Sequence, residues 1–195
     1  MKAVLISIKP KYCELIANGK KTIEVRKSHP MLEKPFKCYI YCTKAKDIFS
    51  IGGGIYDYKD NLYRLPTGEI KFGDSFELMG DWRGQYDENN FLNGKVIGEF
   101  VCDRIIDIPY SQYFVDYYHT MPQDDLEATC LSLGHIDEYL LSKNGYGWHI
   151  SKLVIYDKPK EVRDFYHINL DYTNVTRIRK APQSWMYCLE SEETE

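Results

Sequence analysis

The sequence predicts an α+β protein, and three observations lead to that class. Five or more short segments alternate apolar and polar residues with the two-residue period of half-buried strands. A few other segments carry apolar residues at helical spacing, and turn residues separate most of the segments. The 195 residues are 44% hydrophobic and 28% charged, which suits a folded core and excludes global disorder.

The first part of the chain alternates strands with one helix. Residues 3–8 form an apolar run of strand length. Pro10 suits the first turn of a helix, and Gly19 suits the position just after its end. Residues 22–27 and 36–43 alternate in the manner of strands, and the proline-containing stretch between them is predicted to be a loop.

Residues 44–94 depart from this pattern and are predicted to be an insertion. Glycine-containing turns separate short aromatic runs there, which indicates one or two β-hairpins. The triple glycine at 52–54 is not followed by Lys-Ser or Lys-Thr before a helix, so it does not match a phosphate-binding loop. We interpret it as a flexible joint at the start of the insertion.

Strand signals continue in the second half of the chain. Residues 95–108 are predicted to form one long strand, or two strands broken near Asp103-Arg104. Residues 148–156 form another, which Asp157-Lys158-Pro159 should stop. Two later strands are predicted at 173–179 and 184–189.

Two helices are predicted among these strands. Residues 111–118 are expected to form a short helix. Ser132 is placed to cap a second helix over residues 133–141, because its hydroxyl can accept from a backbone amide of the first turn. Asn144-Gly145 is expected to close that helix.

Charge and hydropathy limit the classes of function. The net charge of −4 argues against a protein that coats nucleic acid by charge alone, but basic residues cluster near both ends of the chain, which permits one nucleic-acid face. No apolar run approaches the ~18 residues of a spanning helix, and the N-terminal run is too short for a signal peptide. We therefore expect a cytoplasmic protein without membrane contact. The clustered basic residues are Lys9, Lys11, Lys20, Lys21, Arg26 and Lys27 near the start, and Arg177, Arg179 and Lys180 near the end.

The cysteines and histidines predict neither a metal site nor a cofactor. The six cysteines contain no C-x-x-C pair, and the five histidines show no H-x-x-x-H spacing. Cys38 and Cys42 share a strand face but would lie ~13 Å apart, too far to hold one ion. We expect the cysteines to fill the core of a protein in a reducing compartment.

The stretch 19–27 gathers the chemistry that most needs an explanation. It contains the pattern Gly-x-Lys-x-x-Glu-x-Arg, with Gly19, Lys21, Glu24 and Arg26 at the named positions. Strand alternation alone predicts that the glutamate and arginine lie on a solvated face, where such a pair contributes ~0–1 kcal/mol. The alternative is that the lysine, glutamate and arginine line a polar site.

That pattern, after a helix that follows an N-terminal strand, resembles the signature of the ASCH domain. This family belongs to the PUA-like superfamily of small β-barrels associated with RNA and modified nucleosides. The resemblance implies that residues 1–195 form a single PUA-like β-barrel domain with flanking helices, an inserted β-hairpin region at 44–94 and an acidic tail at 190–195. Further blocks that resemble the family lie at 7–16, 95–100, 145–150 and 182–185, the last similar to a bacterial and phage-associated branch.

The resemblance also implies a cleft between the barrel and the first helix that binds RNA or a modified nucleoside. Strict alternation would put Lys21 on the face opposite Glu24, and a bent entry at Gly19-Lys20 would relieve that conflict. An aromatic plane would stack on the base. Trp148 and Trp185 are alternatively core and plug residues, and His149 is alternatively a rim residue. The expected ligand-binding residues are Ser7, Lys9, Lys21, Glu24, Arg26, Tyr146, Trp148 and His149.

Two alternative functions stay open. Some small ASCH proteins are amidohydrolases that act on N4-acylcytidine, and there the motif lysine, a hydroxyl and a carboxylate carry the chemistry. Here Lys21 would be the base, Glu24 occupies the expected hydroxyl position, Thr22 is the nearby hydroxyl and Glu127 is the best match to the second carboxylate. The other alternative is a protein-interaction domain.

Overall fold

The structure, a computed structural model, describes residues 2–44, 92–113, 116–169, 171 and 173–190, together with four short strands between residues 44 and 92. The helices are α1 (Pro10–Ala17), α2 (Gln123–Ala128) and α3 (Leu133–Leu140), and a short 3-10 helix covers Val162–Asp164. The strands are β1 (Ala3–Ile8), β2 (Ile23–Arg26), β3 (Phe36–Cys42), β4 (Ile48–Phe49), β5 (Ile55–Asp57), β6 (Leu62–Arg64), β7 (Ile70–Phe72), β8 (Val96–Cys102), β9 (Ile105–Ile108), β10 (Tyr110–Tyr113), β11 (Asp116–His119), β12 (Gly145–His149), β13 (Ser151–Lys160), β14 (Phe165–Ile168), β15 (Val175–Arg177) and β16 (Trp185–Glu190).

A seven-stranded mixed sheet forms the largest layer, with strand order β13-β8-β3-β1-β16-β14-β15. Strand β1 lies near its centre, parallel to β3 and antiparallel to β16. The predicted α+β class is confirmed. The predicted closure into a barrel is not found among the described strands, because β13 and β15 end the sheet without pairing to each other.

A second sheet of three strands, in the order β2-β12-β9, packs near the large one. The main core joins residues of β1, β3 and β8 to α1 and to Trp148 of β12. A further cluster on β2, β9 and α3 contains Val25, Ile108, Ile136 and Leu140. The small sheet is therefore covered on both faces, so even its polar residues are removed from water.

Helices α1 and α3 begin where the sequence predicts, because local chemistry sets their first turns. Pro10 occupies the first helical position of α1, and Gly19, just beyond its end, has a φ of 74° that suits glycine. In α3 the Ser132 hydroxyl accepts from the amide of His135 at 3.3 Å. This helix ends at Leu140 and not at the predicted Asn144-Gly145, and its C-cap Leu141 is left-handed with a φ of 55°.

Two predictions about the second half were wrong. The helix predicted at 111–118 is not found, since β10 (Tyr110–Tyr113) and β11 (Asp116–His119) pair as antiparallel strands. The segment is rich in tyrosine with phenylalanine and valine, and such residues favour strands. Residues 157–159 do not stop the preceding strand, because β13 continues to Lys160 through a register shift, and an edge strand tolerates proline there. The predicted break near 103–104 is confirmed, since β8 ends at Cys102 and β9 begins at Ile105.

The chain leaves the large sheet after β3 and returns at β8, and these two strands are neighbours. The described parts of the excursion, β4 to β7, form an antiparallel four-stranded sheet, in agreement with the predicted hairpins. The triple glycine at 52–54 and the end of the acidic tail at 191–195 lie outside the described residues. Within the described part, no helix is both long enough and apolar enough for a membrane span.

Candidate functional site

The three charged side chains of the motif meet in a single buried cluster. The Glu24 carboxylate contacts Nη2 of Arg26 at 2.9 Å through Oε1 and Nζ of Lys21 at 3.3 Å through Oε2. Only 1% of the Lys21 side chain and 8% of the Glu24 and Arg26 side chains are exposed. The prediction of a solvated face is therefore wrong, and we name these three residues the charged triad.

Strand β2 is buried on both faces, which explains how a polar face comes to point inward. Val25 packs with Ile136 and Leu140 of α3. Glu24 and Arg26 lie on the other face, which points toward the large sheet, since Arg26 bonds the carbonyl of Ser7 in β1. The alternating pattern correctly predicted that β2 has one apolar and one polar face. It did not predict that the large sheet would cover the polar face.

Lys21 joins the triad because it precedes the strand and does not follow its alternation. Its backbone amide donates to the carbonyl of Leu15 at 2.9 Å, so the chain bends back against α1 after Gly19. The Nζ atom then donates to the carbonyl of Thr129 at 2.6 Å while contacting Glu24. The conflict between Lys21 and strand alternation is resolved by this bent entry.

The carbonyl that binds Lys21 belongs to the C-cap of α2. The segment is held in place because the amide of Thr22 donates to the carbonyl of Ala128 at 3.0 Å, and Cys130 takes a left-handed φ of 53°. The final carbonyls of a helix carry partial negative charge, so Thr129 suits an ammonium partner. In this arrangement Thr22 contributes a backbone amide to the site.

Arg26 connects the triad to the large sheet. Its Nη2 donates to the carbonyl of Ser7 at 2.6 Å and its Nη1 to the hydroxyl of Ser184 at 3.4 Å. The Ser7 hydroxyl donates instead to the carbonyl of Pro182 at 2.6 Å. Among the described residues, Nε of Arg26 and Nε1 of the neighbouring Trp148 are buried donors without an acceptor.

The expected aromatic residues divide between core and surface. Trp148 is fully buried, and its ring meets the Phe36 ring edge to face with the ring centres 6.0 Å apart. The interpretation of Trp148 as a core residue is confirmed. Tyr146 is half-buried and lies directly opposite Arg26 on the neighbouring strand. Its ring centre is 4.5 Å from the ring centre of His29. Tyr146 therefore lies half-buried beside the triad, and it packs against the main core.

Two more aromatic residues lie at the same edge. Nε1 of Trp185 donates to the Ser28 hydroxyl at 3.1 Å, and the Tyr187 hydroxyl accepts from the amide of Met31 at 2.9 Å. The rings of Trp185 and Tyr187 meet edge to face at 5.4 Å. We name Tyr146, Trp185 and Tyr187 the aromatic mouth: all three are half-buried, Tyr146 lies opposite Arg26, Trp185 follows Ser184, and Tyr187 contacts Trp185.

Tyr139 of α3 adds a polar aromatic group beside Arg26. Burial raises the pKa of the Tyr139 phenol above its usual value, and the charge and hydrogen bond of Arg26 partly offset that rise. Lys27 places its Nζ 5.1 Å from the centre of the same ring. The phenol therefore stays protonated at neutral pH and can donate as well as accept.

Three of the expected residues lie away from the triad. His149 is on the face of β12 opposite to Trp148, and its Nδ1 lies 2.6 Å from Oδ1 of Asp103, a hydrogen bond that lowers the pKa of Asp103. Glu127 is exposed, and its Oε1 accepts from Gln123 at 2.8 Å. Lys9 is exposed at the N-terminal cap of α1.

Four residues of the site were not predicted: Thr129, Tyr139, Ser184 and Tyr187. Ser184 falls within the 182–185 block that was noticed, but nothing in its neighbourhood pointed to Arg26. Thr129 acts through a backbone carbonyl, which carries no sequence signal. Their contacts depend on chain segments far apart in sequence, 108 residues for Lys21 with Thr129 and 158 for Arg26 with Ser184.

The part of the chain that the structure describes contains no group of three or more histidine, cysteine, aspartate or glutamate side chains that could hold an ion. Five of the six cysteines are buried, and burial raises the pKa of Cys102 and of Cys188 to about 12. These thiols stay protonated, as expected of core residues.

Comparisons with known proteins found similar solved structures only. No protein-family model and no curated protein matches the chain. A single-residue variant of ZmASCH from Zymomonas mobilis is similar over 96% of this chain and 90% of its own, at 16% identity and a TM-score of 0.45. ZmASCH itself covers 95% of this chain and 86% of its own, at 16% identity and a TM-score of 0.41. A second single-residue variant covers 95% and 87%, at 16% identity and a TM-score of 0.40. The chain is thus similar to solved ASCH structures, the family that its sequence resembles.

Proposed function

We propose that this chain binds a nucleobase, in RNA or in a modified nucleoside, at the edge of the charged triad. The observation that carries the proposal is the inward-facing Glu24–Arg26 pair, which keeps a small exposed edge and a buried Arg26 Nε without an acceptor. A carboxylate supplies acceptors and a guanidinium supplies donors. Base edges present the complementary groups.

The energetics of burial support a functional role for the triad. A buried ion pair is often no more stabilising than apolar residues of similar volume, so stability alone does not account for three charged groups in a core. A buried donor without an acceptor costs about 1–3 kcal/mol. A ligand oxygen or ring nitrogen that accepted a hydrogen bond from Nε of Arg26 would remove part of that free-energy cost. The bound state would then be favoured over the unliganded state.

The aromatic mouth supplies the second part of base recognition. Unpaired bases are held by stacking on aromatic side chains while their edges are hydrogen-bonded, and stacking contributes about 1–3 kcal/mol per base. Tyr146 and Trp185 are half-buried beside Arg26 and Ser184, whereas Trp148 is enclosed in the core. We therefore assign the stacking role to Tyr146 or Trp185, and to Lys21 the role of positioning Glu24.

The test is a thermal-shift screen of nucleosides, acylated cytidines and short single-stranded RNAs. A ligand present at about 100 Kd stabilises the native state by about 2.7 kcal/mol, a readily measured rise in Tm. Arg26→Lys keeps the charge but loses the planar fork, so we expect at least a tenfold rise in Kd. Arg163→Lys, at an exposed arginine, is the matched control and should bind as wild type does.

A second variant separates loss of binding from loss of folding. Trp185→Leu changes the mouth without touching the triad and should also weaken binding, with near-ultraviolet circular dichroism reporting the folded state. The proposal is overturned if no member of the screen raises the Tm of wild type. It is also overturned if folded Arg26→Lys and Trp185→Leu bind as tightly as the Arg163→Lys control.

The amidohydrolase alternative has one contact in its favour. Nζ of Lys21 lies 3.3 Å from Oε2 of Glu24, as a base and its carboxylate partner would. Yet Lys21 is 1% exposed and donates to Thr129, and Glu127 is exposed and bonded to Gln123. We therefore expect N4-acetylcytidine to remain unchanged after long incubation with excess protein. Release of acetate would favour the enzyme, and failure of every nucleoside and RNA to bind would favour the protein-interaction alternative.

A further inference from the structure

The connection between β2 and β3 contacts the aromatic mouth. Its residues 27–31, which we name the strap, directly follow Arg26 of the charged triad. The ring of His29 meets the ring of Tyr146 edge to face, with the ring centres 4.5 Å apart and an angle of 72° between the ring planes. A base that stacked on Tyr146 would therefore compete with His29 for contact with that ring.

The other two members of the mouth are bonded to the same strap. Nε1 of Trp185 donates to the Ser28 hydroxyl at 3.1 Å. The backbone amide of Met31 donates to the Tyr187 hydroxyl at 2.9 Å. Each of the three aromatic side chains thus has one partner in the strap, and a single short segment of chain engages the whole mouth.

The strap is held by contacts with side chains and not by a backbone ladder. Among the described residues, no backbone-to-backbone hydrogen bond joins residues 28–31 to another segment. The side chains of Ser28, His29 and Met31 are exposed, and Pro30 between them is buried. Segments with few backbone hydrogen bonds and exposed side chains open locally more easily than the core of a fold. The strap can therefore leave the mouth without unfolding the sheets.

We propose that the strap is an autoinhibitory cover: it occupies the aromatic mouth in the unliganded protein, and a nucleobase enters by displacing it. This inference rests on the proposed function and adds a form of regulation to it. A site that is open in only a fraction of the molecules has an apparent Kd equal to its intrinsic Kd divided by that fraction. A change that releases the strap and keeps the aromatic rings therefore lowers the apparent Kd.

Two substitutions release the strap and keep the three rings of the mouth. Tyr187→Phe removes the hydroxyl that accepts from Met31, and His29→Ala removes the ring that meets Tyr146. The probes are adenosine, guanosine, cytidine, uridine and N4-acetylcytidine, each titrated by isothermal titration calorimetry. For any probe that binds, we expect each single variant to lower Kd at least threefold and the double variant at least tenfold. A gain of affinity cannot arise from a failure to fold.

Met31→Ala is the matched control within the strap. The residue is 81% exposed, and its contact with Tyr187 is made by the backbone amide, which the substitution keeps. Its Kd should stay within twofold of wild type. If the double variant binds as this control does, the inference is overturned and the proposed function stands. A higher Kd in the double variant also overturns it, because the strap would then be a fixed wall of the site.

Hydrogen exchange tests displacement itself. Binding of the tightest probe to wild type should speed exchange of the Met31 amide, because its acceptor on Tyr187 is lost when the strap leaves the mouth. The amide of Ile150, which donates to the carbonyl of Thr22 at 2.8 Å, is the control and should not change. Slower exchange of the Met31 amide on binding would overturn the inference.

The same titrations separate this inference from the one on which it rests. A probe that binds the double variant and not wild type supports both. If neither wild type nor any variant binds any of the five probes, the strap inference fails, and the proposed function is then decided by the RNAs of the thermal-shift screen.

Discussion

At the scale of single residues, Lys21 shows how a buried ammonium group is held by several partners at once. The side chain has three donors, and Thr129 and Glu24 both accept from the same ammonium group. The ring of Tyr12 lies 5.3 Å from Nζ and covers part of the remaining surface. Removing the ammonium would leave a buried carbonyl without its donor and one carboxylate oxygen without its cation.

We predict that Lys21→Met destabilises the protein by about 3 kcal/mol, since breaking a buried ion pair from one side costs about 3–5 kcal/mol. Chemical denaturation measures the change. Lys20→Met, at the exposed neighbouring position, is the control and should stay within about 0.5 kcal/mol of wild type. A Lys21→Met variant as stable as Lys20→Met would show that the ammonium is not a structural partner.

At the scale of secondary-structure elements, close strand packing depends on particular glycines. Gly98 in β8 lies between β3 and β13, and a Cβ atom there would stand 2.3 Å from the carbonyl oxygen of Val154. The obstacle is backbone, so a larger residue must push the strands apart. Gly134 in α3 has open space around the same position, since the nearest atom within 4 Å is Oγ of Ser132 at 3.8 Å.

The two glycines therefore predict opposite effects of one substitution. Gly98→Ala should destabilise the protein by about 1–3 kcal/mol, the usual cost of overpacking. Gly134→Ala should stabilise it by about 0.5 kcal/mol, because alanine favours the helix. The free energy of unfolding of both variants checks this, and the pairing of β8 with β13 would need revision if the two changes had the same sign.

Elements set by local rules could be predicted from the sequence, and elements set by distant contacts could not. The start of α1 at Pro10 and the cap of α3 at Ser132 follow from neighbouring residues, and both were predicted. The inward polar face of β2 depends on what packs against it, and strand alternation alone did not predict it. The pairing of β10 with β11 also depends on the folded chain, and it was missed. The motif located Lys21, Glu24 and Arg26, but their burial and their partners Thr129 and Ser184 required the folded chain.

At the scale of the whole molecule, a polar network joins four strands of the large sheet. Glu99 accepts from Lys37 at 2.8 Å and from the hydroxyl of Tyr156 at 2.6 Å, while Glu190 accepts from Tyr39 at 3.0 Å. Burial raises the pKa of the Glu99 carboxyl. Hydrogen bonds from Lys37 and Tyr156 lower that pKa by more than burial raises it, so the net shift is downward. Burial and then the neighbouring Glu99 raise the pKa of the Tyr156 phenol, which keeps it a donor.

The lowered pKa of Glu99 predicts how stability depends on pH. Ionised Glu99 stabilises the fold above its ordinary pKa of 4.5, and that contribution is lost as the pH falls through the lowered value. Glu99→Gln should therefore be less stable than wild type by about 1 kcal/mol at neutral pH, and the gap in Tm should narrow as the pH falls below 4.5 and through the lowered pKa. Glu138→Gln, at an exposed position, should show no such convergence. A difference in Tm between wild type and Glu99→Gln that stayed constant across this pH range would contradict the assigned pKa shift.

The position of β1 between β3 and β16 has a consequence for synthesis of the protein. A ribosome releases β1 and β3 early, but β16 follows more than 140 residues after β3, so β1 waits with one edge unpaired. Contacts of such long sequence separation slow folding. The contacts of Ser7 with Pro182 and of Arg26 with Ser184 form only after this last strand arrives. A nascent chain interrupted before that point would hold the complete motif and still lack one wall of its site.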